Sequence, residues 1–254
     1  FGNEQEVLSI YECSSHDILN GGKLTLRARK HGYARSLGLM YQYATAYCGM
    51  KENQDEYKFL GYESHINKVL TDVQTQKLKN SAASTALQLW RGLCAMSDVR
   101  FHTNNGYNGL INSGDLGATK KHWFKIFDTM IEAVGVSALV DEEIQGATKS
   151  KRIIVGHFVQ NVIEQVLAYL VDDYQMKHVA VSGGIFYNVK LNNSITKKID
   201  GLFSVVPVAG DQGCGIGMYE AHVGGFKFGD LKWAPRQSFS NYEDKLTPEE
   251  LSAY

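Results

Sequence analysis

The sequence predicts an α/β fold in which an antiparallel hairpin is followed by parallel strands, giving a mixed sheet flanked by helices. Three observations carry this. Two partly alternating runs, 7–13 (VLSIYEC) and 23–29 (KLTLRAR), are separated by the turn signal Asn20-Gly21-Gly22. Residues 150–174 place Val155, Val159, Val162, Ile163, Val166 and Leu170 at helical spacing. Two short apolar runs then follow, each ending in glycine and separated by a helix-length segment. That order is the one parallel strands with a crossover require.

The bulk numbers bound the rest. A chain of 254 residues can bury a sizeable core as one large domain or two small ones. Lys and Arg number 26 against 27 Asp and Glu, a formal net charge of −1, so nothing calls for nucleic acid as a bound scaffold. A nucleoside or sugar can still be a substrate. No apolar run approaches the roughly 18 residues a membrane span needs, and no signal peptide is visible. Cys13, Cys48, Cys94 and Cys214 are scattered without a CxxC pair, which fits free thiols in a reducing compartment. The expectation is a cytoplasmic protein with no membrane partner. Phe1-Gly2-Asn3-Glu4 reads like a loop in mid-course, as if the chain began inside a longer polypeptide.

Taken in order, the second hairpin run puts Leu24, Leu26 and Ala28 on one face. Lys23, Arg27, Arg29 and Lys30 read as a solvated strand face rather than a basic patch. Ser36 can cap a helix over 37–48, which Gly49 ends. Its stripe of Leu37, Met40, Tyr41, Ala44, Tyr47 and Cys48 reads as a core face. Residues 55–61 (DEYKFLG) read as a helix start or a surface loop. The stretch 64–149 is the least legible. It has helical composition at 70–96 and 121–134, an Asn/Gly-rich loop at 104–117, and a connection at Ala147-Thr148-Lys149. His102, His122 and His157 lack ligand spacing and read as packed or exposed histidines. Beyond Gly225, Trp233-Ala234-Pro235-Arg236 looks like an extended exit and Thr247-Pro248-Glu249-Glu250 like a new helix cap.

The chemistry concentrates at 179–223. The first apolar run ends in Gly183-Gly184, and Asn188 lies four residues further on. The second run, 202–208, ends in Ala209-Gly210-Asp211-Gln212-Gly213. Glycines at the ends of strands leave the backbone open, so that N–H groups of the next helix can face an anion. Asp211 can bind a metal, order a water or cap the following helix. This is the shape of a nucleotide or phosphate site, with a plain turn as the bland alternative.

Several blocks together resemble one family. SLGLMYQYATAYCGM with KENQDEYKFLGY, residues 158–170, SGGIFYNVKLNNSI and VPVAGDQGCGIGMYEAH occur in the order seen in the nodulation-protein and antibiotic O-carbamoyltransferases. The resemblance implies an actin-like ATPase fold, of which this chain is mostly the second ribonuclease-H-like half. It puts a carbamoyltransferase core at 1–235 with a helical insertion at about 64–149. Residues 236–254 would be a linker toward a further, adenylate-forming domain. It also implies that Phe1-Gly2 follows the first strand of that half, so that a central strand and an upstream half with a histidine metal motif lie outside the chain. The family's "M-G-L-A" is replaced by Phe59-Leu60-Gly61-Tyr62, and Cys214 and Gly215 stand where small aliphatics are usual.

By the same resemblance, Ser182, Gly183 and Gly184 would cradle ATP or carbamoyl adenylate, and Asn188 would reach its base or ribose. Gly210 and Gly213 would shape the phosphate loop, and Glu56 and Lys58 would line the cleft. Asp211 would be the one metal ligand from this chain, with iron as the implied divalent metal. No residue here suits the general base, so no catalytic residue is assigned and the isolated chain is expected to be inactive. Carbamoyl phosphate and a small hydroxyl acceptor would be the partners in the reaction, and a homodimer is left open. A tRNA threonylcarbamoyl transferase, a sugar kinase or a non-catalytic nucleotide-binding domain are the competing readings.

Overall fold

The computed structural model describes residues 6–13, 24–95, 115–136, 145–206, 208–210 and 213. All of them belong to the compact unit Phe1–Cys214. Strands β1 (Glu6–Glu12) and β2 (Thr25–His31) form the expected antiparallel hairpin, with Ile10 opposite Ala28 and Tyr11 opposite Leu26. The expected apolar face of β2 is not realised. Leu24 and Leu26 are exposed, while Ala28, Lys30 and His31 are buried. Only the far end of the strand lies against the helices, so burial follows position along β2 rather than alternation. Lys30 is correspondingly no surface charge. Its ammonium sits 5.8 Å from the ring centres of both Trp90 and Tyr174, where the aromatic faces partly replace water. Arg27 and Arg29 pair across the hairpin with Glu12 and Glu6.

Helix α1 (Leu37–Tyr47) starts where Ser36 Oγ accepts the Leu39 N–H at 3.2 Å. It stops before Gly49, whose φ of +68° suits a residue without a Cβ. Met40, Ala44, Tyr47 and Cys48 are buried as the stripe predicts, and Leu37 and Tyr41 are only partly covered. The short α2 (Glu56–Phe59) buries Phe59 edge-on against Tyr41, ring centres 5.4 Å apart. Helices α3 (Asp72–Ala95) and α4 (Leu116–Val134) come from the least legible stretch. Asp115 Oδ1 caps α4 through the Ala118 N–H at 2.9 Å.

Helix α5 (Gln145–Asp173) is the axis of the core. It starts earlier than expected, so Ala147-Thr148-Lys149 is helix rather than connection. Nothing in those three residues opposes helix. Ile154, Val155, Phe158, Val159, Val162 and Ile163 are fully buried against Leu78, Ala82 and Ala86 of α3 and Trp123 and Phe127 of α4. Trp123 and Phe127 stack at 6.0 Å, and Phe127 meets Phe158 edge-on at 6.3 Å. Burying one such side chain contributes roughly 1.5–3 kcal/mol. Within Lys149–Asp173 an 18-residue window has mean hydropathy 1.3, long and apolar enough by composition to cross a membrane, although polar residues interrupt it and no unbroken apolar run of that length occurs. In the fold 72% of that window is buried by protein, as befits a core helix.

Strands β3 (Val179–Val181) and β4 (Phe203–Val205) pair in parallel, Ala180 opposite Ser204, with α6 (Val189–Thr196) in the connection. Gly201 at φ +155° admits the close approach of the Lys177 carbonyl, since a Cβ there would stand 2.2 Å from that oxygen. Among the described residues the hairpin and the parallel pair are two separate two-stranded sheets, not the one mixed sheet expected. β1 pairs only with β2 and β3 only with β4, and no described strand lies between them.

Candidate functional site

The first half of β1, the start of α1, α2 and the turn after β3 border one cavity of about 1080 Å³. That is just above the roughly 300–1,000 Å³ usual for small-molecule sites. Of the residues expected in a site, Glu56, Ser182, Gly183, Gly184 and Asn188 line it. Lys58, Gly210 and Gly213 do not, and Asp211 lies outside the described residues.

The glycine turn is built as β3 ends. Gly183 has φ +120°, which excludes most side chains. A Cβ on Gly184 would meet nothing within 4 Å, so the backbone there faces open space. The Gly183 N–H, expected to face an anion, instead donates to the Ala209 carbonyl at 2.6 Å, and Ser182 Oγ donates to the same oxygen at 3.3 Å. A 3-10 turn, Gly184–Tyr187, follows. The Tyr187 hydroxyl accepts the Gly210 N–H at 2.9 Å. The second turn is closed by the Gly213 N–H donating to the Gly210 carbonyl at 2.9 Å. A Cβ on Gly213 would lie 2.2 Å from the Val208 carbonyl. Gly210 and Gly213 therefore shape a turn behind the cleft wall, fastened to the first turn by three hydrogen bonds.

Asn188 caps α6, with Oδ1 accepting the Leu191 N–H at 3.0 Å. Its Nδ2 donates to Gln160 Oε1 at 2.8 Å. Gln160 Nε2 donates to Glu164 Oε1 at 2.5 Å, and Ser194 Oγ donates to Glu164 Oε2 at 3.2 Å. Gln160 and Glu164 had drawn no notice in the sequence. The available signal was a polar pair four residues apart inside a helix that is apolar on nearly every side.

Glu56 opens α2, and its Oε1 accepts the Asn53 N–H at 2.6 Å. Its neighbour Tyr57 is 72% exposed and lines the cavity. Lys58 pairs with Asp55 at 2.7 Å on the surface, its ammonium 5.5 Å from the Tyr57 ring centre. The hydrogen bond from Lys58 holds the Asp55 carboxyl below the usual carboxylate range. Burial, with Glu56 and Glu63 nearby, pushes the Tyr41 hydroxyl far up, so it remains a donor at neutral pH. Glu63 ties α6 to the rest through Lys190 and lies 3.5 Å from His157 Nδ1 on α5. His157 holds the Glu63 carboxyl down most, burial opposes it, and Lys190 adds to the lowering.

The arrangement offers an open backbone turn, a carboxylate and an aromatic rim around one cavity. These groups can hold a ligand with hydroxyls, an anionic group and a flat ring. Among the described residues no cluster of three or more His, Cys, Asp or Glu could hold a metal. In comparison with known proteins, a family model described as the carbamoyltransferase N-terminus matches residues 10–219. No curated protein sequence matches the chain.

Proposed function

The chain belongs to the carbamoyltransferase family, and we propose that its cleft holds ATP or a carbamoyl adenylate from which the carbamoyl group passes to a hydroxyl acceptor. Carbamoyl transfer from a donor to an acceptor is the reaction of the family in general terms. The observation that carries the finer reading is the convergence of Gly184, Glu56 and Asn188 on one cavity of about 1080 Å³. Gly184 gives phosphate oxygens access to the backbone, where any side chain would intrude. Glu56 would accept from ribose hydroxyls, and the exposed Tyr57 ring would flank the base.

Transfer forms a bond from the acceptor oxygen to the carbamoyl carbon and breaks the bond from that carbon to the phosphate oxygen, releasing AMP. The hydroxyl proton goes to a base, which this reading places in another part of the polypeptide. Asp211 is proposed as this chain's metal ligand, to be checked by elemental analysis and metal titration of Asp211→Ala. The fold reading is a ribonuclease-H-like half of an actin-like ATPase. It is supported by the order of an antiparallel hairpin followed by helices and a parallel strand pair.

Calorimetric titration with ATP tests the cleft. The chain should bind ATP, and Gly184→Val, which fills the open space at the turn, should abolish binding without unfolding the protein. Absence of ATP binding, or binding indifferent to Gly184→Val, would overturn the reading.

A further inference from the structure

We propose that Gln160 and Glu164 are positioning residues, through which a one-way chain of hydrogen bonds sets the Asn188 amide and the glycine turn of the cleft. The proposal rests on the nucleotide reading of that cleft. A carboxylate in its ionised form only accepts hydrogen bonds. Glu164 Oε1, 2.5 Å from Gln160 Nε2, therefore turns the Gln160 amino group toward itself and the Gln160 carbonyl toward Asn188. Asn188 must then donate through Nδ2, at 2.8 Å, which leaves its Oδ1 to accept the Leu191 N–H at 3.0 Å. Reversing either amide would set like groups face to face. The second carboxylate oxygen takes the Ser194 hydroxyl, so Glu164 bridges α5 and α6.

Gln160 and Asn188 are only 4% and 7% exposed, so a break in the chain leaves buried polar atoms unpaired. The ordering reaches the turn directly. The Asn188 N–H donates to the Ile185 carbonyl at 3.1 Å, and Asn192 Nδ2 donates to the Phe186 carbonyl at 2.8 Å. The wall of the cleft is thus aimed by a charge on the core helix that does not itself line the cavity.

Charge exchange between the two positions tests this. Gln160→Glu alone sets two carboxylates against each other. The double variant Gln160→Glu/Glu164→Gln keeps every donor matched to an acceptor. The new carboxylate at 160 accepts from Asn188 and from the new amide at 164, whose carbonyl still accepts from Ser194. ATP affinity of the 254-residue chain is measured by calorimetry, stability by denaturant, and the turn by the backbone amide NMR signals of Gly183 and Gly184. Gln160→Glu should weaken ATP binding about tenfold and shift both glycine signals. The double variant should return affinity to within about threefold and restore the signals. If Gln160→Glu does not fold, Glu164→Leu, which leaves the Gln160 amino group without an acceptor, takes its place. A double variant as impaired as the single, or a single variant with unshifted glycine signals, would overturn the proposal. If the parent chain takes no ATP, the nucleotide reading falls, and the glycine signals still decide the positioning role.

Discussion

The Gly210 backbone N–H donates to the Tyr187 hydroxyl at 2.9 Å, and this bond joins the turn after β3 to the turn after β4. Tyr187 also lines the cavity, so the same side chain faces the ligand space and holds the second turn. Tyr187→Phe keeps the ring and removes the acceptor. It should lower stability by about 0.5–1.5 kcal/mol in denaturant titration and weaken ATP binding several-fold. Unchanged affinity would mean that the two turns do not act as one wall.

Gly201 makes a second prediction. Its Cβ position lies 2.2 Å from the Lys177 carbonyl at a φ of +155°. Gly201→Ala must shift the backbone that leads into β4. It should cost about 1–3 kcal/mol and broaden the amide signals of β3 and β4.

Phe127 is fully buried between Trp123 and Phe158. Phe127→Ala should cost about 3–5 kcal/mol by leaving a cavity where α4 meets α5. Phe127→Leu should recover most of that, since it conserves more of the volume.

Glu63 predicts an acid limb to the stability curve. Its folded pKa lies below the ordinary carboxylate value, chiefly through His157 and then Lys190, with burial opposing. The unfolded chain therefore binds the proton more readily than the folded one. The stabilisation is present above the unfolded value, about 4.3, and is lost as pH falls through the lower folded pKa. Thermal melts at a series of pH values should show Glu63→Gln less stable at neutral pH, with the gap closing at strongly acid pH. A gap independent of pH would remove the electrostatic account.

The elements with local signals were readable in the sequence. Ser36 and Gly49 bracket α1 because capping is decided by neighbours in the chain, and the apolar residues read at helical spacing in α5, Val155 to Leu170, are all buried. The glycines at 183, 184, 210 and 213 were legible as turns for the same reason. What they do was less legible. Whether the Gly183 N–H meets a ligand or the Ala209 carbonyl depends on how β3 and β4 sit side by side, which no local pattern encodes. Lys30 was misread because a strand's burial is set by which helix crosses it, here the one carrying Trp90. Lys58 was expected to line the cleft by resemblance, and the direction of α2 instead turns it to the surface beside Asp55.

Helix α5 carries a consequence for synthesis. A segment of that length and hydropathy, left bare, would partition into a bilayer or onto another copy of itself. Helices α3 and α1, which pack along it, precede it in the chain and so leave the ribosome first, while α6 follows it. Part of the stretch that says least about function in the sequence is therefore waiting to receive the most dangerous segment as it emerges. Trimming α3 from an expression design should send the protein into aggregates rather than yield a smaller domain.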